Sequence, residues 1–333
     1  MAYKNNAKLV KNENQLFSEV KNSFMDYDPA YFIQNNLVLD GKPFQVLDNG
    51  WKFMADIYRY IALQATRRNG KPVVFCKGRQ VGATVMAGAL DLYFTNSGIF
   101  TQPNIKVAHL FPALAHVKKF SQDKLESLIK DAKDDFVNLN KLGTDAAVDN
   151  ITMKQFKTGT LWIDSTGADG DRLRGMTLDV IFYDEIQDMN QLAIENVNKT
   201  LTAAKYGQVG NGVQIFFGTP KERGSYFHKI WEMSDQRYYH LGCENCNQHY
   251  PFYLPDDDRW QTIWQDRGAP GVEGIPGEGV SSEGYMVKCP HCGHIQHKIT
   301  AVELGKWIPS KDPEECSYTG FHINQLYIPY ISK

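Results

Sequence analysis

The chain has 333 residues, of which 42% are hydrophobic and 22% charged, and its formal net charge at pH 7 is −2. This length provides an ample core for one large domain or two modest ones, and the composition is ordinary for a globular protein. Because the overall charge is not basic, any contact with nucleic acid must come from a local patch, another domain or another subunit. No apolar run approaches the roughly 18 to 20 residues of a membrane helix, and the polar start lacks a signal-peptide core, so we expect a cytoplasmic protein.

Short apolar runs alternate with helix-like stretches between residues 44 and 222. The predicted strands are 72–76, 105–111, 160–166, 178–184 and 212–218, and the predicted helices are 51–66, 84–94, 113–135 and 190–205. Strands rich in β-branched and aromatic residues that alternate with helices indicate an α/β fold with a mostly parallel sheet. We expect an N-terminal helical segment over residues 1–43, and a return of residues 299–333 to the main domain.

The stretch FCKGRQVGATV, residues 75–85, lies between a strand pattern and a helix pattern. Such a glycine-containing turn directs backbone N–H groups and a helix N-terminus at phosphate. A standard P-loop reads G-x-x-x-x-G-K-[ST]; here Ala83 takes the lysine position and Lys77 takes that of the first glycine. Lys77 or Arg79 could fold back to supply the missing cation, and Thr84 could hold Mg²⁺. The alternative is an ordinary strand–turn–helix corner with incidental charges.

Two further strands end in residues that suit phosphoryl transfer. LDVIFYDEIQDM, residues 178–189, ends its apolar run in Asp184 and Glu185. In P-loop ATPases the first acid holds Mg²⁺ and the second activates the attacking water. The alternative is a strand before an acidic helix N-terminus, which the helix dipole favours. IFFGTP, residues 215–220, would place Thr219 beside the terminal phosphate, and the order of the three motifs favours an ATPase.

These motifs resemble the ATPase domain of the large terminase subunit, the DNA-packaging motor of tailed bacteriophages. KGRQVGAT resembles the family's altered phosphate loop, in which some members have the lysine at the start. DRLRGMTLDVIFYDE resembles its Walker B segment, FFGTP its coupling motif, and GFHINQLYIPYIS its closing strand. The similarity spans roughly residues 40 to 333. Many relatives keep a lysine where this chain has Ala83, so activity depends on Lys77 or Arg79.

The resemblance implies a RecA-like P-loop ATPase core of the additional-strand (ASCE) class over residues 44–239. Glu185, Lys77, Arg79 and Arg174 are the implied catalytic residues, Thr84 and Asp184 the Mg²⁺ ligands, and Thr219 the coupling residue. The implied ATP-binding residues are Lys77, Gly78, Arg79, Gln80, Val81, Gly82, Ala83 and Thr84.

Two arginines precede the acidic strand in the loop STGADGDRLRG, residues 165–175. An arginine supplied to a neighbouring subunit's nucleotide stabilises the charge of phosphoryl transfer, and Arg174 is preferred over Arg172 for this role. The alternative is that both are solvated loop arginines or are paired with Asp169 and Asp171. Upstream, Phe44 could stack on adenine and Gln45 could hydrogen-bond it, although a plain loop before helix 51–66 explains them equally well.

The implied function is hydrolysis of ATP with Mg²⁺ to translocate double-stranded DNA into a procapsid in the host cytoplasm, by a protein absent from the mature virion. The implied partners are the DNA, the portal of the procapsid, the small terminase subunit, a nuclease domain or subunit and further copies in a ring, with no membrane. No acidic cluster suits two-metal cleavage, so we expect no nuclease domain here. The alternatives are a zinc-ribbon nucleic-acid-binding scaffold with a degenerate P-loop, favoured by Ala83 but opposed by Glu185, and a helicase-like translocase.

Four of the six cysteines form two C-x-x-C pairs: Cys243 with Cys246, and Cys289 with Cys292. Four thiolates supply a closed tetrahedral Zn²⁺ site without an open catalytic position. We therefore expect a zinc-ribbon-like insertion over residues 240–298, including a Gly/Pro-rich loop. Other candidate ligands are His249, His291, His294 and His297, and the expected free thiols are Cys76 and Cys316.

Overall fold

The computed structural model describes residues 24–100, 104–132, 150–156, 158–251 and 286–329. The strands in chain order are β1 Val38–Leu39, β2 Lys42–Pro43, β3 Val73–Lys77, β4 Ile105–Phe111, β5 Met153–Gln155, β6 Gly159–Ser165, β7 Val180–Asp184, β8 Val213–Gly218, β9 Arg237–Gly242, β10 His249–Pro251, β11 Met286–Lys288, β12 Ile295–His297, β13 Lys306–Ile308 and β14 Thr319–Ile323. The helices are α1 Pro29–Asn36, α2 Lys52–Thr66, α3 Ala83–Asn96, α4 Leu114–Lys119, α5 Glu126–Lys130, α6 Gln191–Asn198, α7 Tyr226–Glu232 and α8 Lys298–Glu303.

A mixed sheet of ten strands forms the centre of the described part of the chain. Its order is β10-β9-β14-β3-β8-β7-β4-β6-β5, and β13 pairs separately with β9. The strands from β9 to β6 are parallel, while β5, β10 and β13 join antiparallel at the two sides. All residues of β3, β7, β8 and β14 are buried, as expected when both faces of a parallel sheet are covered. This arrangement confirms the mostly parallel central sheet.

Stacked phenylalanines fix the register of the four central strands. Phe75 on β3 stacks on Phe217 of β8 with ring centroids 4.5 Å apart, and on Phe321 of β14 at 5.8 Å. Phe182 on β7 continues the row, 6.4 Å from Phe217. A slip of one residue would turn these rings to the opposite face, so the row aligns the carboxyl ends of the strands.

The chain returns to the sheet near its end, as the sequence indicates. β14 lies between β3 and β9 and pairs parallel with both. The strand that leads into the phosphate loop is therefore flanked by a strand from near the end of the sequence.

Two helices differ from their predicted extent. The helix predicted over 113–135 consists of α4, a π-helical turn over Phe120–Leu125 and α5, which ends at Lys130. The helix predicted over 190–205 ends at Asn198 and continues as a 3₁₀ turn over Lys199–Leu201, where the Thr200 hydroxyl donates to the Val197 carbonyl. This local bond tightens the last turn, an effect that apolar periodicity does not reveal.

Some predicted segments lie wholly or partly outside the described residues. These are the start of the N-terminal segment, residues 1–23, and the Gly/Pro-rich loop within residues 252–285. None of the described helices combines the length and apolarity needed to cross a membrane.

Candidate active site

The predicted phosphate loop, residues 77–84, is a tight turn between β3 and α3. Two residues hold left-handed backbone conformations, Gln80 at φ 59° and Gly82 at φ 75°. The C-terminal return of the chain braces this turn: the Gly78 N–H donates to the Ile323 carbonyl at 2.9 Å, and the Gln325 amide donates to the Arg79 carbonyl at 2.6 Å. The N-cap residue of α3 is Gly82, which has no side chain to accept from the first N–H groups of the helix, and a helix N-terminus of this kind favours an anion.

Lys77 and Glu185 form an ion pair within the described residues at the carboxyl ends of β3 and β7. Lys77 Nζ lies 2.8 Å from Glu185 Oε1, and Lys77 is only 6% exposed. Burial alone would raise the pKa of Glu185, but the charge and hydrogen bond of Lys77, together with the Gln187 amide, outweigh it and lower the pKa. Glu185 therefore remains a carboxylate at neutral pH, held beside the lysine that the sequence assigns to phosphate.

Asp184 and Thr84 form the second contact of the site. The Thr84 hydroxyl donates to Asp184 Oδ2 at 2.8 Å, and the Glu185 backbone N–H donates to Asp184 Oδ1 at 2.9 Å. Asp184 is buried, whereas Glu185 has a left-handed φ of 57°. That conformation costs a non-glycine residue on the order of 1 to 3 kcal/mol, and here it directs two successive acids into one site. A hydroxyl and a carboxylate are oxygen ligands that suit Mg²⁺.

Gln187 connects Glu185 to the strand end that carries Thr219. Its Nε2 donates to Glu185 Oε2, and its Oε1 accepts a hydrogen bond of 2.9 Å from the Thr219 backbone N–H. Gln187 is not among the residues predicted from the sequence. The clue in the sequence is its position, two residues after the predicted base Glu185 on the turn between β7 and α6.

A cleft of about 480 Å³ lies over the phosphate turn. It is lined by all eight residues predicted to bind ATP and by Val85, Lys124, Glu185, Gln187, Asp188, Thr219 and Lys221. Lys221 is paired with Asp188. Lys124 and Lys221 were also missed, because isolated surface lysines carry no motif.

A second cavity of about 460 Å³ adjoins the cleft and shares Val81, Gly82 and Val85 with it. Phe44 and Gln45 line this cavity, together with Trp51, Met54 and Tyr58 among other residues. The two residues predicted to contact adenine thus lie next to the phosphate turn, in a largely apolar cavity.

A buried histidine–aspartate pair lies behind Asp184. His109 Nδ1 is 2.6 Å from Asp91 Oδ2, and His109 Nε2 is 4.0 Å from Asp184 Oδ2. Burial raises the pKa of Asp91, although His109 opposes the rise. No sequence motif marks this pair, because Asp91 lies on α3 and His109 on β4.

The two loop arginines, Arg172 and Arg174, do not line the cleft, and each pairs with an aspartate. Arg172 contacts Asp164 at 3.1 Å, and Arg174 contacts Asp171 at 2.7 Å. The alternative of a pair with an aspartate therefore holds for Arg174 and Asp171, whereas Arg172 pairs with neither predicted partner. The Arg174 side chain is 68% exposed, and exposed ion pairs of this kind contribute at most about 1 kcal/mol, so its guanidinium can change partners.

The four C-x-x-C cysteines converge on one point. Their sulfur atoms all lie within 4.8 Å of one another, and two of the separations, Cys243–Cys292 and Cys246–Cys289, are 3.7 Å. Tetrahedral Zn²⁺ with Zn–S bonds near 2.3 Å requires sulfur atoms about 3.8 Å apart, so the thiols fit this ion.

The candidate replacement ligands do not join this cluster within the described residues. His294 contacts Glu244 at 2.9 Å, and His249 contacts the Leu304 carbonyl at 3.1 Å. Cys76 and Cys316 also lie outside the cluster and are unbridged.

Comparison with known proteins gives one family and several solved structures. Residues 51–307 match the model of the ATPase domain of the phage terminase large subunit gpA. A variant of the ATPase domain of the Thermus phage P74-26 large terminase is 16% identical, with a TM-score of 0.39, over 84% of this chain and 81% of that one. The HK97 bacteriophage large terminase is 12% identical, with a TM-score of 0.45, over 61% of this chain and 40% of that one. No curated protein sequence matches the chain.

Proposed function

Since the chain belongs to the family of phage terminase large-subunit ATPase domains, we propose that it hydrolyses ATP with Mg²⁺ to drive translocation of double-stranded DNA into a procapsid. One observation carries this proposal: the Lys77–Glu185 and Thr84–Asp184 contacts lie side by side at the phosphate turn. A cation, a hydroxyl–carboxylate pair and an ionised base are the groups that phosphoryl transfer to water requires.

Lys77 changes partners in the proposed reaction. In the structure, its ammonium is bound to Glu185. When ATP enters, Lys77 turns to the phosphates, with Arg79 and the backbone N–H groups from Gly78 to Thr84 completing the binding site. Lys77 thereby takes the role of the lysine that Ala83 replaces.

The release of Lys77 leaves Glu185 free to accept the proton of the attacking water. Gln187 still donates to the other carboxylate oxygen and keeps the side chain oriented. Thr84 and Asp184 would hold Mg²⁺, which neutralises phosphate charge when bound. General-base catalysis of this kind contributes about 10²- to 10⁴-fold to the rate.

Coupling to movement would run through the Gln187–Thr219 hydrogen bond. Nucleotide binding would displace the Glu185 side chain. Gln187, which is hydrogen-bonded to both Glu185 and Thr219, would then shift the end of β8. Phe44 and Gln45 would contact adenine in the adjoining cavity, which supports ATP over a bare polyphosphate as substrate.

The assembled motor is part of the same proposal. The exposed Arg174 would reach the nucleotide of a neighbouring copy in a ring, and the portal, the small terminase subunit and a nuclease domain or subunit would be further partners. The cysteine cluster would hold a structural Zn²⁺ that anchors the region over residues 240–298, beside the core over 44–239 and its C-terminal return over 299–333. The site of action would be the host cytoplasm.

Phosphate release by the wild-type protein and by Glu185→Gln tests the function, each with and without double-stranded DNA. We expect DNA to stimulate the wild type, and the variant to lose about 10³-fold in turnover while still binding ATP. Glu195→Gln, at an exposed position on α6, is the matched control and should behave as wild type. ATP binding without turnover in the wild type would instead indicate the scaffold with a degenerate P-loop.

A further inference from the structure

Lys124 lines the same cleft as the phosphate turn, yet none of the roles above uses it. The other two lysines of the cleft are each bound to a carboxylate, Lys77 to Glu185 and Lys221 to Asp188. Lys124 has no hydrogen bond or ion pair with any other residue of the described part of the chain. Its ammonium is therefore available to a ligand in the cleft.

The position of Lys124 on its helix is unusual for a lysine. The buried residues of this helical segment recur at the helical period and are Val117, Phe120, Ser121, Leu125 and Leu128. Position 124 lies three or four residues from several members of this set, so a regular helix would place it on the same face. An exposed lysine on the core-facing stripe must project from the edge of the core, and here that edge is the cleft.

The π-helical turn that contains Lys124 is packed against the reaction centre. Phe120, the first residue of the turn, lies against His109 with ring centroids 4.2 Å apart. His109 in turn lies 4.0 Å from Asp184, the proposed Mg²⁺ ligand. Single π turns inside α-helices occur frequently at functional sites. Lys124 thus lies on a helical turn that packs, through Phe120 and His109, next to the proposed catalytic carboxylates.

The charge of the cleft favours a highly anionic ligand. Four cationic side chains line it, Lys77, Arg79, Lys124 and Lys221, against the carboxylates of Glu185 and Asp188. ATP has one more charged phosphoryl group than ADP, so a cation that reaches this group binds ATP more strongly than ADP.

We propose that Lys124 binds the terminal phosphoryl group of ATP, in cis, and that it thereby makes the cleft prefer ATP to ADP. This inference rests on the proposed nucleotide site and assigns one further residue to it. Lys77, at the start of the turn, and Lys124, from the π-helical turn, would together supply the charge that Ala83 cannot.

Calorimetric titration of ATPγS and of ADP, each with Mg²⁺, tests the assignment in four proteins: wild type, Lys124→Ala, Lys124→Arg and Lys118→Ala. We expect Lys124→Ala to weaken ATPγS binding about tenfold, or ~1.4 kcal/mol, and to change ADP binding less than twofold. Lys124→Arg keeps the charge and should retain most of the preference. Lys118, exposed on α4 and outside the cleft lining within the described chain, controls for general loss of surface charge.

Three results would overturn the assignment while leaving the nucleotide site intact. These are unchanged ATPγS binding by Lys124→Ala, equal weakening of ATPγS and ADP, and an equal loss in Lys118→Ala. A wild-type protein that binds neither nucleotide would overturn the assignment and the proposed site together.

Discussion

The phosphate turn and the cysteine cluster are organised by different forces. The turn follows a fully buried strand, and its neighbours β8 and β14 are equally buried and aligned by stacked phenylalanines. The cluster is carried by strands of three residues, β10, β11 and β12, and by the end of β9. Packing of the sheet therefore forms the cleft, whereas we expect the cluster to depend on a bound metal ion to hold two short hairpins together.

Ligand removal should therefore have different consequences at the two sites. Loss of a metal ion should disrupt the cysteine cluster, whereas loss of nucleotide should leave the cleft folded. Four thiols within 4.8 Å of one another, without a metal ion to bind them, would hold the two hairpins together only weakly. In small zinc domains, the bound metal contributes on the order of 10 kcal/mol to folding. The cleft, in contrast, already contains the Thr84–Asp184 contact.

The largest expected effect is at the cluster. Cys289→Ser should reduce the metal content from about one Zn²⁺ per chain to near zero and abolish hydrogen-exchange protection over residues 286–297, because the remaining thiols cannot close the tetrahedral shell. Nucleotide binding should survive. Elemental analysis, hydrogen exchange and ATP titration measure these three quantities.

Cys316→Ser is the control, since Cys316 lies outside the cluster. Full metal retention in Cys289→Ser would refute the ligand assignment. Loss of nucleotide binding together with the metal would refute the independence of the two regions.

The next largest effect is expected inside the cleft, where Gln187 connects Glu185 to the end of β8. Gln187→Ala removes both the donor to Glu185 and the acceptor of the Thr219 N–H, so we expect the DNA-stimulated kcat to fall about tenfold with KM nearly unchanged. Steady-state kinetics with double-stranded DNA provides the measurement. Gln191→Ala, exposed on α6, is the matched control. A variant with wild-type kcat would remove Gln187 from the coupling path.

The smallest effect is expected in the adjoining cavity. Phe44→Ala should weaken ATP and ADP binding to the same extent, about fivefold, because a stacking contact with adenine does not depend on the number of phosphates. Phe24→Ala, an exposed phenylalanine elsewhere, should leave both affinities unchanged. Affinities from nucleotide titration that fall for ATP alone would contradict the adenine assignment.

The sequence predicted the elements whose signal is local. The strands β4 and β7 could be recognised because buried parallel strands are continuous apolar runs, and the acids at the end of β7 follow one such run. The helix over 113–135 was predicted as continuous because a π turn changes the hydrogen bonding and not the apolar period.

The contacts that define the site were not predictable in the same way. Lys77 and Glu185 are 108 residues apart, and Gln187 meets a backbone N–H of Thr219, so neither contact has a spacing rule. The brace from Gln325 to the Arg79 carbonyl spans 246 residues. These contacts can be predicted only when the order of the strands in the sheet is known.

The central claim is that a cation at the start of the turn replaces the lysine missing at position 83. Titration of Mg·ATP against Lys77→Ala and against the double variant Lys77→Ala/Ala83→Lys tests it most directly. We predict about 100-fold weaker binding in the single variant, and recovery to within tenfold of wild type in the double variant, because the lysine then occupies the usual P-loop position. Wild-type affinity in Lys77→Ala would contradict the claim.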